Sequence, residues 1–180
     1  MCINEYPMTR VVAILCISAC GTLTEAYAAE SPGLGKAASP QEIAAWNLTV
    51  FPDGRGLPPG HGTAVEGKSV YAQHCTSCHG LNGTGGSGGE LAGAKHGLTD
   101  AHPDQTIGTY WPYATTVFDY VRRSMPPGAP GSLSNDQVYA VSAYLLHLNG
   151  LVAESADLNA QTLPQVQMPN REGFIRVDAP

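Results

Sequence analysis

Five consecutive residues, Cys75-Thr76-Ser77-Cys78-His79, constrain this chain more than any other feature. Three chemistries use a Cys-x-x-Cys pair: a redox disulfide, half of a zinc site, or covalent attachment of a cofactor. The cysteine count narrows the choice. Of five cysteines, Cys2, Cys16 and Cys20 lie in the first thirty residues, which read as an export signal. Arg10 stands before an apolar run, Val11 to Leu23, that is short for a bilayer span and suits a signal core. Ala26 and Ala28 supply an Ala-x-Ala site, so residues 1–28 are expected to be removed and the mature protein to be periplasmic. The stretch Ile17 to Cys20 carries the alternative, a lipoprotein anchored through Cys20. After cleavage at Ala28 only Cys75 and Cys78 remain.

A structural zinc site needs four ligands, and the mature chain has no second cysteine pair. His61, His74, His96, His102 and His147 are scattered without ligand spacing. A thioredoxin-like disulfide calls for alternating strands and helices, and no such alternation is visible. Cys-x-x-Cys followed directly by His is the attachment signature of c-type haem. The spacing has a physical reason. Residues three and four apart share one face of a helical turn, so Cys75 and Cys78 both reach haem vinyl groups and His79 is carried beneath the iron.

The flanks predict helices. Thr63 and Glu66 have the spacing of a capping box, and a helix is expected from about Ala64 into the Cys-x-x-Cys turn. Gly67 inside it points either to close packing against another helix or to a glycine merely tolerated at some cost to the helix. Val117, Phe118, Tyr120 and Val121 fall at helical spacing, with Thr115 or Thr116 as N-cap. Ser134 and Gln137 form a second box for a helix running through Val138, Val141, Leu145 and Leu148 to a stop at Asn149-Gly150. Between these two helices lies Met-Pro-Pro-Gly-Ala-Pro-Gly, from Met125, which is neither helix nor central strand.

Cys75, Cys78, His79, the Met125-Pro126 loop and the closing helix resemble class I cytochrome c over residues 62–150. The implied fold is all-α, three to five helices around one haem, with extended N- and C-terminal segments. The implied organisation is a signal peptide (1–28), an extended segment (29–62), a haem domain (63–150) and a C-terminal tail (151–180). The resemblance implies one covalently attached haem c, thioethers at Cys75 and Cys78, and axial ligands His79 and Met125, with Met168 a lower-ranked rival. A thioether ligand raises the reduction potential and suits electron transfer. Relatives commonly turn a carbonyl about ten residues downstream toward the proximal histidine, a place that falls near Gly89 here. Trp111, Tyr113 and Arg122 are candidate propionate contacts; core packing for the aromatics and a solvent-facing pair for Arg122 and Arg123 are the competing readings.

A narrower likeness reaches further. The segments from Trp46 to Tyr71 and from Gly108 to Gly150, with Met-Pro-Asn-Arg-Glu-Gly-Phe at 168–174, are similar to the cytochrome subunit of the bacterial Sox sulfane dehydrogenase. They are also similar to haem subunits of molybdenum sulfite dehydrogenases. The likeness implies an electron-accepting subunit for a molybdenum-containing sulfur-compound dehydrogenase, serving a downstream cytochrome or oxidase, and not a catalyst on its own. A free periplasmic carrier and a haem enzyme acting directly on a small molecule are the other classes. The single Cys-x-x-Cys-His departs from those sulfane-dehydrogenase cytochromes that carry a second haem domain. Acidic residues outnumber basic ones 15 to 9, for a net charge of -6, so nucleic acid is not an expected partner; nor is a membrane, unless Cys20 is lipidated. Residues 40–62 are expected to wrap the domain or to dock a partner.

Overall fold

A computed structural model describes residues 33–175 and 177. The signal-peptide and Cys20 expectations lie outside the described residues. The chain divides between Ser39 and Pro40. In the first unit only residues 33–39 are described, and they are irregular. The second unit holds every regular element among the described residues: α1 (Pro40–Trp46), β1 (His61–Gly62), α2 (Ala64–His74), α3 (Thr76–His79), α4 (Ala114–Ser124), α5 (Asn135–Leu148), β2 (Leu158–Asn159) and a 3-10 turn (Leu163–Gln165). The fold is all-α apart from the two-residue β bridge.

Helix α2 starts where the capping box places it. The Thr63 hydroxyl accepts from the Glu66 N–H, and the Glu66 carboxylate accepts from the Thr63 N–H at 2.8 Å. The Thr63 N–H, and then the Thr63 hydroxyl, which also donates to the carboxylate, hold the Glu66 carboxyl below its ordinary range. Gly67 faces α5 at a crossing with no room for a side chain. A Cβ there would lie 1.9 Å from the Ala140 carbonyl oxygen and 2.9 Å from Tyr144 Cβ. Tyr71 and Tyr144 pack beside this crossing with ring centroids 5.3 Å apart. Helix α5 shows its box too, with Ser134 and Gln137 bonded reciprocally, and it turns off at Asn149 and Gly150. Helix α4 closes the core: Phe118, fully buried, lies 4.5 Å from the ring of Tyr139.

The start of α4 departs from expectation. Its N-cap is Tyr113, which makes no side-chain capping bond, and neither Thr115 nor Thr116 occupies that position. Thr115 is buried, and its hydroxyl donates to the Pro52 carbonyl at 3.4 Å. That bond to the extended N-terminal segment draws Thr115 inside the first turn.

Both flanking segments pack on the helical core. Val50 is buried, and its N–H donates to the Asp119 carboxylate at 3.0 Å; Asp119 also pairs with Arg123 one turn along α4. Tyr139 Oη donates to Pro58 O at 2.9 Å, and Asn135 Nδ2 donates to Pro59 O at 3.1 Å. On the other side β2 pairs antiparallel with β1, Gly62 opposite Leu158. Leu158, Leu163, Val166 and Met168 enter the hydrophobic core. Trp46 and Ile43 on α1 stay exposed.

Candidate cofactor site

Helix α2 breaks at Cys75, and α3 makes one further turn. Cys75 O accepts from the N–H groups of both Cys78 and His79, at 3.1 and 2.9 Å. That turn brings Cys75, Cys78 and His79 together on the wall of a cavity of about 700 Å³. Cys75 is half-buried, and desolvation, followed by the neighbouring Cys78, pushes its thiol up to about 11. Cys78 is exposed. Neither cysteine is in a disulfide. Among the described residues no group of three or more His, Cys, Asp or Glu is placed to hold a metal ion.

After His79 the chain folds back against the turn it has just left. A Cβ at Gly86 would sit 2.0 Å from Cys78 O, and one at Gly88 would sit 2.9 Å from His79 Cε1. Only glycine permits an approach this close. Gly88 N–H donates to Cys78 O at 2.7 Å, and His79 Nδ1 lies 2.8 Å from Gly89 O. A carbonyl only accepts, so the proton sits on Nδ1 and Nε2 keeps its lone pair for a ligand bond. The Gly89 carbonyl is the one expected from the sequence.

Further lining comes from the end of α4. Proline disfavours helical backbone in the residue before it. The helix ends at Ser124, and Met125 is extended at φ -117°, ψ 143°. Met125 and Pro126 both line the cavity. Met168 does not; it is buried in the core, 4% exposed. Leu91, Ile107, Val117, Val121, Val141 and Leu145 supply apolar lining, while Glu90, Gln105 and Tyr120 add polar groups. Trp111 lines the cavity, its ring edge-on to Tyr120 at 5.8 Å. Tyr113 and Arg122 are not in the lining. Tyr113 sits under the Arg171 guanidinium at 5.3 Å, and the Arg122 charge acts on the Tyr139 hydroxyl.

Gln105, Ile107 and Tyr120 were not among the sequence candidates. Tyr120 registers only as an apolar helical position, and residues 105–107 belong to an irregular stretch with no periodicity to read. Two stretches of the narrower likeness meet in space. Asn170 Nδ2 donates to Tyr110 O at 2.7 Å, and the Phe174 and Tyr110 rings meet edge-to-face at 5.3 Å.

The residues fit a covalently bound haem. The cavity lies within the range of about 300–1,000 Å³ usual for cofactor pockets. It is mostly apolar, and two thiols, an oriented imidazole and a thioether are among the groups that line it.

The cytochrome c family model matches residues 64–149. The crystal structure of the sulfane dehydrogenase SoxCD from Paracoccus pantotrophus superposes with a TM-score of 0.77 at 48% identity, covering 82% of this chain and 73% of that one. A thiosulfate dehydrogenase of Stutzerimonas stutzeri (strain A1501) is 29% identical over 112 residues, 56% of this chain. Those residues are 35% of the relative, so the chain spans about a third of its length. The chain belongs to the cytochrome c family, whose members carry haem c attached through the protein's own cysteines.

Proposed function

We propose that this chain is an exported single-haem electron-transfer protein that takes electrons from the molybdenum-containing subunit of a sulfane dehydrogenase and passes them to a downstream cytochrome or oxidase. The observation that carries the haem reading is the meeting of Cys75, Cys78, His79 and Met125 around one mostly apolar cavity. The sulfur-oxidation reading is supported by the 48% identity to SoxCD over most of this chain. Residues 63–150 form the haem domain, braced by the flanking segments. Removal of residues 1–28 leaves the mature protein in the periplasm.

Each part of the site has a task. The Cys75 and Cys78 thiols would hold a haem through one thioether each. His79 would supply Nε2 to the iron, with Gly89 O holding its ring through Nδ1. Met125 would supply a thioether sulfur as a second iron ligand, which favours the ferrous state. The apolar lining excludes water and keeps the site's environment the same in both oxidation states. Bound there, haem supplies a one-electron ferric–ferrous couple.

The test is attachment. Haem-stained denaturing gels are expected to show one haem per chain in the wild type, reduced staining in Cys75→Ala and in Cys78→Ala, and none in the double variant. Full staining of the double variant would overturn the site. Purification of the native protein with a molybdenum-containing subunit supports the partner; purification with no such subunit counts against it. The thiosulfate dehydrogenase likeness favours a second reading, direct action on thiosulfate, which needs an open or labile sixth position. Rapid stoichiometric carbon monoxide binding at neutral pH would favour that reading over the carrier.

A further inference from the structure

His79 depends on the Gly89 carbonyl, and Gly89 lies in a segment with no helix or strand to hold it. Its position is set by its neighbours. On one side Gly88 N–H is tied to Cys78 O at 2.7 Å. On the other, Leu91 N–H donates to Gly83 O at 2.7 Å, and Leu91 O accepts from Ile107 N–H at 3.2 Å. Leu91 O takes a second, shorter bond, from Asn149 Nδ2 at 3.0 Å.

Asn149 ends α5, and its amide is used on three sides. Nδ2 donates to Leu91 O and, at 2.8 Å, to Leu145 O; Oδ1 accepts from Gly108 N–H at 3.1 Å. A flipped amide would aim its oxygen at two carbonyls and its nitrogen at an N–H, so the partners dictate the orientation. A residue that only ended the helix would need the Leu145 bond alone. Gly150, at φ +71°, already makes the turn. The other two bonds reach 58 and 41 residues back along the chain, to segments whose Leu91 and Ile107 line the cavity beside His79.

We propose that Asn149 is a positioning residue for His79: by holding Leu91 O it keeps the Gly88–Leu91 segment, and with it the Gly89 carbonyl, in hydrogen-bonding reach of Nδ1. The inference rests on the reading of His79 as the proximal haem ligand. A well-placed acceptor on Nδ1–H makes Nε2 a stronger donor. A stronger donor favours ferric iron. Losing the Asn149 bond therefore raises the reduction potential and exposes the His79 Nδ1 proton to exchange.

Two variants of the haem-loaded protein test this from opposite sides. Asn149→Ala removes the amide. Gly108→Ala pushes it, because a Cβ there would lie 2.6 Å from Asn149 Oδ1. Gly150→Ala is the control: it strains the end of α5 without touching Leu91. In both test variants the expected result is His79 Nδ1–H exchange about tenfold faster, the scale of one lost hydrogen bond, with a higher reduction potential. In Gly150→Ala the melting temperature falls while both readouts stay at the wild-type value. If Asn149→Ala does not fold, Gly108→Ala decides. Wild-type exchange and potential in the test variants, or equal shifts in the control, would overturn the role of Asn149. A wild-type protein without covalent haem would instead overturn the reading of the site on which the role depends.

Discussion

At the scale of single residues, the two methionines stand in different surroundings. Met125 lines the cavity and Met168 fills the core. Met125→Ala is expected to abolish the weak near-infrared band of methionine-ligated ferric haem, open the iron to added ligands and lower the potential. Met168→Ala is expected to leave that band in place and cost about 2–5 kcal/mol in stability. Absorption spectra and thermal melts of the two variants distinguish them, and the reverse pattern would move the ligand to Met168. Much of this was readable in the sequence because it is local. Three local constraints (the Cys-x-x-Cys turn, the histidine after it and a proline that ends α4 at Met125) act over a few residues each. The propionate candidates were less legible. Tyr113 and Arg122 lie close in sequence to the lining residues Trp111 and Val121, yet Tyr113, in extended backbone ahead of α4, packs under Arg171, and the Arg122 charge acts on Tyr139.

At the scale of elements, the α2–α5 crossing has no room for an added side chain at Gly67. Gly67→Ala places a Cβ against the Ala140 carbonyl, a backbone atom that cannot rotate away. Overpacking of this kind costs about 1–3 kcal/mol, and the variant is expected to melt lower while its haem band stays unchanged once folded. The β1–β2 bridge carries a pH-dependent tie. His61 Nδ1 lies 2.9 Å from an Asp157 carboxylate oxygen. That hydrogen bond, then the charge of Asp157, raises His61 above its ordinary 6.5; Asp136 and Glu66 add to the shift and desolvation opposes it. Asp157 is lowered from 3.8, first by His61 and then by Asn159. The His61 contribution is therefore whole below pH 6.5 and fades as pH rises through its raised value. The Asp157 contribution is whole above 3.8 and fades as pH falls through its lowered value. Asp157→Asn is expected to flatten the fall in melting temperature that the wild type shows above pH 6.5. Both groups are exposed, so the effect is small and shrinks with salt. A wild-type and Asp157→Asn pair with parallel profiles would remove the tie. The helices were legible because caps and periodicity are local signals. The bridge was not, since two residues at 61–62 and two at 158–159 make no pattern until the core brings them together.

At the scale of the whole molecule, the tails belong to the fold. Leu158, Leu163, Val166 and Met168 are buried, and each such side chain contributes about 1.5–3 kcal/mol. Their sum approaches the roughly 5–15 kcal/mol of a whole domain. Deleting residues 151–180 is therefore expected to lower the melting temperature drastically or prevent folding. A truncated protein that melted like the wild type would restrict the tail to partner docking. The central claim, electron acceptance from a sulfur-oxidising dehydrogenase, is tested most directly by anaerobic stopped-flow mixing. The oxidised cytochrome would meet the purified molybdenum subunit and its sulfur substrate, with the ferrous haem absorption followed in time. The account predicts reduction that requires both subunit and substrate and whose rate rises with subunit concentration until it saturates. No reduction by that pair, in a protein that an unrelated donor reduces rapidly, would contradict it.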